Sequence, residues 1–325
     1  MIRPRLSKVA SGTRLTTDLV NDIINRTEYA ADLLRQYKLT AGNEMYVEPH
    51  YDGARVSYLQ PVGGGATPAQ PISPAYRIVG QATVGGIIRG WVYDGTTFTD
   101  IVYPGSNLSQ TSIAKNIDGS NIIGYANNGF ISYLYNGSTF TSIPIGSASN
   151  FLTSGIDGET IVGSRITGGV QRGFIYNGST FTDVVYPGAS QTVFYDIDGS
   201  SIVGYATVGT SRKGFLYNGS TFTDIIYPGF IYTFILGIYQ NTVVGYADFD
   251  GTVNTFYVGF TYTNSTFTTL SVPGSLSTVP WGIKGSNIVG WTFIEGTLRG
   301  FLYNGSTFTD IMYPGATSTQ AFGIG

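Results

Sequence analysis

The chain has 325 residues, with 17 Lys+Arg against 20 Asp+Glu, a single histidine (His50) and no cysteine. Disulfides and thiolate-held metals are excluded, histidine chemistry has almost no material, and a net charge of −3 offers no broad basic surface for nucleic acid or anionic lipid. No apolar run approaches the roughly 18 residues of a membrane span and the first residues lack a secretory apolar stretch, so the expectation is a soluble chain, not exported by the usual route and without membrane insertion.

The first predicted element is a helix over 15–38. Val20, Ile23, Thr27, Ala30, Leu34 and Tyr37 recur by threes and fours, as in a coiled-coil seam of about three heptads. Thr and Ala within that seam make it weakly associating on its own. Two short runs, 45–50 and 54–59, then flank Tyr51-Asp52-Gly53 and predict a hairpin, and PVGGGATPAQPISP (61–74) reads as a linker, extended at its prolines and flexible at its glycines. The domain plan is a helical segment 1–43, a hairpin 44–60, a linker 61–75 and a repeat domain 76–325.

The repeat domain declares itself by self-similarity. GFIYNGSTFTDVVYPG begins at Gly173, GFLYNGSTFTDIIYPG at Gly214 and GFLYNGSTFTDIMYPG at Gly300, with looser copies at Gly90, Ser132 and Gly259. A second element, I-V-G or a close variant, ends at Gly80, Gly124, Gly163, Gly204, Gly245 and Gly290, a spacing of about 40 residues. Each unit predicts four short antiparallel strands. Strand A ends in Gly-Ile or its equivalent, B is I-V-G-Y, C is G-F-L-Y, and D is S-T-F-T-D-I.

Asp-Gly turns follow A, and two-residue Asn-Gly turns, needing positive φ, are expected between C and D. In the fifth copy Thr263-Asn264 replaces Asn-Gly. The first unit starts at strand B, whereas the chain ends on a strand A, 321–325. The fold expected is therefore mainly β: a closed six-bladed β-propeller of four-stranded blades, with the C-terminal strand completing the first blade and the A strands at the axis.

Residues that recur once per unit are read as scaffold. They are the turn residues Asp118, Asp157 and Asp198, the ladder Asp100, Asp183, Asp224 and Asp310, the turn asparagines Asn136, Asn177, Asn218 and Asn304, and the cations Arg89, Arg172, Lys213 and Arg299. A catalytic carboxylate has no reason to appear in every unit. Variation instead clusters at the approach to strand A, where the triplets end in Lys115, Ser154, Tyr195, Leu236, Trp281 and Phe322. The face carrying the D–A and B–C loops is expected to hold a ligand surface of Tyr195, Phe230, Tyr232, Phe234, Phe249, Trp281 and Trp291, suited to hydroxylated ligands such as surface glycans or to protein partners.

No catalytic residue, metal or cofactor is expected. The competing enzymatic reading, a glycan depolymerase, rests on the unrepeated acids Asp248, Asp250 and Glu295, because paired carboxylates in one pocket are what glycoside hydrolysis needs.

Two parts of the chain resemble known families. The unit G-F-L-Y-N-G-S-T-F-T-D-I followed by I-V-G resembles the HAF repeat of bacterial extracellular proteins. The stretch 13–38, TRLTTDLVNDIINRTEYAADLLRQYK, and Met45-Tyr-Val-Glu-Pro-His-Tyr-Asp-Gly53 resemble N-terminal segments of bacteriophage virion proteins, especially tail-fibre proteins of phages infecting cyanobacteria. The resemblance implies a virion location at tail or baseplate, and an N-terminus (1–60) that docks on other virion proteins and forms a homo-oligomer, a trimer. The distal domain would bind a glycan or protein receptor on the host envelope. A capsid or baseplate decoration protein is the alternative that the same resemblance allows.

Overall fold

The computed structural model describes residues 45–50, 53–58, 76–105, 112–126, 131–144, 149–248 and 257–325. The predicted helix with its seam of Val20, Ile23, Thr27, Ala30, Leu34 and Tyr37, the 61–75 linker, Phe249 and Asp250 lie outside the described residues. The chain divides into two compact units, Met1–Pro68 and Ala69–Gly325. In the first, Met45–His50 pairs antiparallel with Gly53–Tyr58, His50 lying opposite Gly53. The second strand thus starts one residue before the predicted 54.

The second unit is mainly β and propeller-like. Its inner A strands are Ser112–Asp118, Ser149–Asp157, Gln191–Asp198, Tyr232–Tyr239, Ser277–Lys284 and Ser318–Ile324. Each pairs antiparallel with a B strand, B with C and C with D; Gln191–Asp198, Ser201–Val208, Ser211–Tyr217 and Phe222–Ile225 are one such meander. Single parallel bridges, Gln171 to Gln191 and Arg212 to Tyr232, join three successive meanders into one larger sheet. The C-terminal strand Ser318–Ile324 pairs with Ile78–Val84, and Arg77 and Gly325 exchange backbone hydrogen bonds of 2.8 and 3.0 Å. Repeats are numbered below with this set first. Among the described residues no helix is long and apolar enough to cross a membrane.

The I-V-G element has a steric cause. A Cβ on Gly80, Gly124, Gly163, Gly204, Gly245 or Gly290 would stand 1.9 to 2.1 Å from a carbonyl oxygen of the inner strand alongside, so no other residue fits. The aromatic residue of strand C fills the space beside it. Trp91, Tyr133, Phe174, Phe215, Phe260 and Phe301 are fully buried, each in a separate cluster between sheets.

The recurring polar residues stitch one repeat to the next. Gly158 N–H donates to Asp118 at 2.8 Å, Gly199 N–H to Asp157 at 2.6 Å, and Gln240 N–H to Asp198 at 2.6 Å. Arg89, Lys213 and Arg299 pair with Asp100, Asp224 and Asp310, whereas Asp183 is held by Arg165 from strand B. Tyrosines of the Y-P-G segments reach the neighbouring D strand: Tyr186 Oη donates to Asp224 and Tyr313 Oη to Asp100, both at 2.6 Å.

The C–D connections correct the expected two-residue turns. They are four residues long, and only the glycine has positive φ. Asn177 Oδ1 accepts the N–H groups of Ser179 and Thr180 at 3.1 and 2.8 Å, and Asn136, Asn218 and Asn304 do the same. The asparagine therefore caps the loop by its side chain and does not adopt the left-handed conformation. The fifth copy is the one that makes the tight turn, with Asn264 and Ser265 at φ 49° and 63° between Val258–Thr263 and Thr266–Leu270.

Candidate functional site

Every inner strand carries a bulge at the same place. Pairing skips one residue between Ala114 and Asn116, Thr153 and Gly155, Phe194 and Asp196, Ile235 and Gly237, Pro280 and Gly282, and Ala321 and Gly323. The residues left over are Lys115, Ser154, Tyr195, Leu236, Trp281 and Phe322, the six that end the variable triplets. A bulge frees its extra side chain from the ladder and re-aims it. Here that freedom brings together residues far apart in sequence. Lys115 Nζ lies 4.0 Å from the ring centre of Trp281 and 3.9 Å from that of Phe322, which are themselves 4.8 Å apart. Tyr195 meets Trp281 edge-on at 5.8 Å.

The position after the bulge is crowded. A Cβ on Gly155, Gly237, Gly282 or Gly323 would approach the backbone of the next inner strand to between 2.4 and 2.8 Å. Two repeats carry a side chain there, and the two find each other. Asn116 Nδ2 donates to Asp196 Oδ1 at 2.8 Å, and Ile238 N–H donates to Asp196 Oδ2 at 3.0 Å. One carboxylate thus joins the second, fourth and fifth repeats. Burial pushes Asp196 up to about 7, against hydrogen bonds that favour its charged form, and burial brings Lys115 down to about 7.

Beyond the bulge the rings continue as an arc. Tyr195 neighbours Tyr205 at 6.0 Å, Tyr205 meets Phe234 at 5.0 Å, and Phe234 stacks on Tyr246 at 4.6 Å with 15° between planes. Tyr246 meets Tyr257 at 4.9 Å, and Tyr257 meets Trp291 at 6.3 Å. Tyr232 joins the same cluster. Burial raises the pKa values of Tyr195, Tyr205, Tyr246 and Tyr257, so their hydroxyls stay protonated donors at neutral pH. The arc is lopsided. At the positions matching Tyr205, Tyr246 and Trp291, the first repeat has Gln81, hydrogen-bonded to Gln320 at 2.6 Å, the third has Ser164, which accepts from Gln171 at 3.1 Å, and the second has Tyr125, which acts on Tyr195 but makes no ring contact with the arc among the described residues.

Of the predicted ligand residues, the structure gathers Tyr195, Tyr232, Phe234, Trp281 and Trp291. Phe234 is 5% exposed and serves as the floor on which its neighbours stack. Phe230 is not part of the arc; it packs against Tyr227 at 5.3 Å, in the cluster around Phe260. Tyr205, Tyr246, Tyr257, Arg212 and the Lys115 cage were missed by sequence reasoning. The position after I-V-G carried the signal, because it varies from Gln to Ser to Tyr to Trp between repeats.

The predicted loop face needs one correction. The B–C connections of four repeats are two-residue turns, at Gly85-Gly86, Gly168-Gly169, Gly209-Thr210 and Glu295-Gly296, and not variable loops. Variation lies on the strands themselves. Of the acids weighed for hydrolysis, Asp248 is 5% exposed, beside Tyr246 and Tyr257, whereas Glu295 sits on an exposed turn at φ 50°. Among the described residues no three His, Asp or Glu side chains gather as a metal site.

No protein-family model matches the sequence, and no curated protein matches it. Solved structures with a similar backbone include the β-propeller domain of the Trilobed protease from Pyrococcus furiosus, at 12% identity over 84% of this chain and 88% of that one, with a TM-score of 0.43. Aleuria aurantia lectin, as a mutant in complex with Fucα1-6GlcNAc, is 14% identical over 71% of this chain and 90% of its own, with a TM-score of 0.45. Pyrococcus horikoshii acylaminoacyl peptidase is 10% identical, and the match covers 84% of this chain and 45% of the peptidase, with a TM-score of 0.44.

Proposed function

We propose that 76–325 is a closed six-bladed β-propeller serving as the receptor-binding domain of a phage tail fibre or spike, held on the virion as a trimer through residues 1–60. The propeller binds a host-envelope glycan or protein during adsorption, and it is not an enzyme. The observation that carries the reading is the lopsided aromatic arc. Scaffold repetition alone would place the same residue at each equivalent position, yet the position after I-V-G is Tyr125, Tyr205, Tyr246 or Trp291 in four repeats and Gln81 or Ser164 in the other two, and the tyrosine hydroxyls can donate to a sugar while the rings pack on its apolar face. Three copies on one fibre would turn weak single sites into firm attachment.

The test is cell binding. Fluorescently labelled protein should bind a subset of cyanobacterial strains and block adsorption of the phage. Trp291→Ala should lose binding and lower the melting temperature without unfolding the domain at the assay temperature, Tyr246→Phe, which keeps the stacked ring, should weaken binding with little change in melting, and Glu295→Gln should have no effect. Wild-type protein that binds no strain in a broad panel, or antibody label on the capsid of the particle, would sink the proposal; release of reducing sugar lost in Glu295→Gln would replace it with the hydrolase reading.

A further inference from the structure

A second cation lies along the arc, and it stands at one junction only. Arg212, on strand C of the fourth repeat, has its guanidinium carbon 5.6 Å from the ring centre of Tyr205, 5.7 Å from Tyr232 and 5.5 Å from Phe234. Among the described residues its side chain makes no hydrogen bond and no ion pair, whereas that of the adjacent Lys213 holds Asp224 at 3.1 Å. Matching positions in other repeats carry Ile88, Gln171 and Leu298, so nothing in the scaffold calls for a cation there.

A partly buried guanidinium has five donors to satisfy, and ring faces satisfy none of them. Its charge acts on the hydroxyl groups of Tyr195, Tyr205 and Tyr246 and opposes the effect of their burial. Asp248 acts on Tyr246 and Tyr257 in the opposite sense, and Arg212 and Asp248 stand in register with Tyr232 on the two strands that flank it.

We propose that the junction of the fourth and fifth repeats is a subsite for a carboxylate-bearing sugar, with Arg212 holding the carboxylate and Tyr205, Tyr232 and Tyr246 packing around the pyranose ring. The planar fork of Arg matches a carboxylate in two parallel hydrogen bonds, and rings at its flanks suit the apolar face of a sugar. This deepens the receptor-binding reading and rests on it for biological meaning, but the chemistry of the subsite can be judged separately.

Calorimetric titration of the full chain with short oligomers of galacturonate, glucuronate and mannuronate, with their methyl esters and with a sulfated galactan, decides the matter. At least one free acid should bind about ten-fold or more tightly than its ester, with affinity falling as salt rises. Arg212→Gln should reduce that acid to the level of the ester, and Arg212→Lys should fall between. Esters that bind as well as acids, absence of binding by all three acids, or preference for the sulfated chain would overturn the subsite. The ester comparison uses wild-type protein, so it stands even where an Arg212 variant folds poorly. If the acids fail while Trp291→Ala still abolishes cell binding, the subsite falls and the receptor reading survives. If no cells are bound yet an acid is held through Arg212, the reverse follows.

Discussion

Gly204→Ala and Gly80→Ala place one methyl group at equivalent points in two repeats, and their comparison measures how firmly the chain ends are joined. At Gly204 the new Cβ would stand 1.9 Å from Val193 O, and at Gly80 it would stand 2.0 Å from Gln320 O and 2.5 Å from the Trp91 ring. Relieving either contact needs a shift of about 1.5 Å in a paired backbone, which no rotamer change supplies. Overpacking of this kind costs about 1–3 kcal/mol, and an immovable carbonyl puts both variants at or above the upper end. For a domain of this size that lowers Tm by roughly 6–12 °C.

Gly199→Ala is the control. Its φ is +60° and nothing lies within 4 Å, so it should cost only about 1 kcal/mol. Urea melts followed by tryptophan fluorescence, with calorimetric Tm, give the ranking. If Gly80→Ala melts like wild type while Gly204→Ala is weakened, the C-terminal strand is not seated on Ile78–Val84 and ring closure fails. If both melt like Gly199→Ala, the steric account of I-V-G is wrong.

Other expectations concern the hub and the turns. Lys115 has a folded pKa lowered to about 7, so between about 7 and its ordinary 10.5 the unfolded chain holds a proton the folded chain has lost, and its burden on stability is full below 7 and fades as pH rises. Lys115→Met should therefore raise stability by a few kcal/mol at pH 6 and by much less at pH 10; a gain independent of pH would refute the assignment. Gln240 occupies a left-handed turn, φ 51°, where the second, third, fourth and sixth repeats have glycine, so Gln240→Gly should stabilise by roughly 0.5–1 kcal/mol in denaturant titration. Asp157→Ala removes the acceptor for Gly199 N–H and should cost about 1 kcal/mol, read as a lower urea midpoint at unchanged slope.

Much of the fold could be read from the residues because its causes are local. The I-V-G glycine recurs for one steric reason, and the Asp after strand A recurs because a neighbouring N–H waits for it in three of the junctions. Where two local chemistries share a sequence, reading failed. Asn-Gly suits a tight hairpin, but the Ser-Thr that follows lets Asn177 cap a wider loop through its side chain. The hub was visible as variation, in triplets ending at Lys115, Tyr195 and Trp281, yet the bulge that re-aims those residues exists only in the pairing register. Arg212 was hidden beside the recurring cation Lys213. Phe230 misled because its closeness to Tyr232 in sequence says nothing of the turn that sends it under Tyr227.

The hub also bears on how this chain avoids misassembly. Repeats as alike as those beginning at Gly173, Gly214 and Gly300 could pair out of order, skip a neighbour, or exchange with another molecule, since their outer strands offer nearly identical partners. Lys115, Asn116, Asp196, Trp281 and Phe322 are not interchangeable. The Asn116–Asp196 bond and the Lys115 cage form only when the second repeat faces the fourth, sixth and first. The unlike residues at the centre thus act as addresses, fixing the order of units that their rims cannot tell apart.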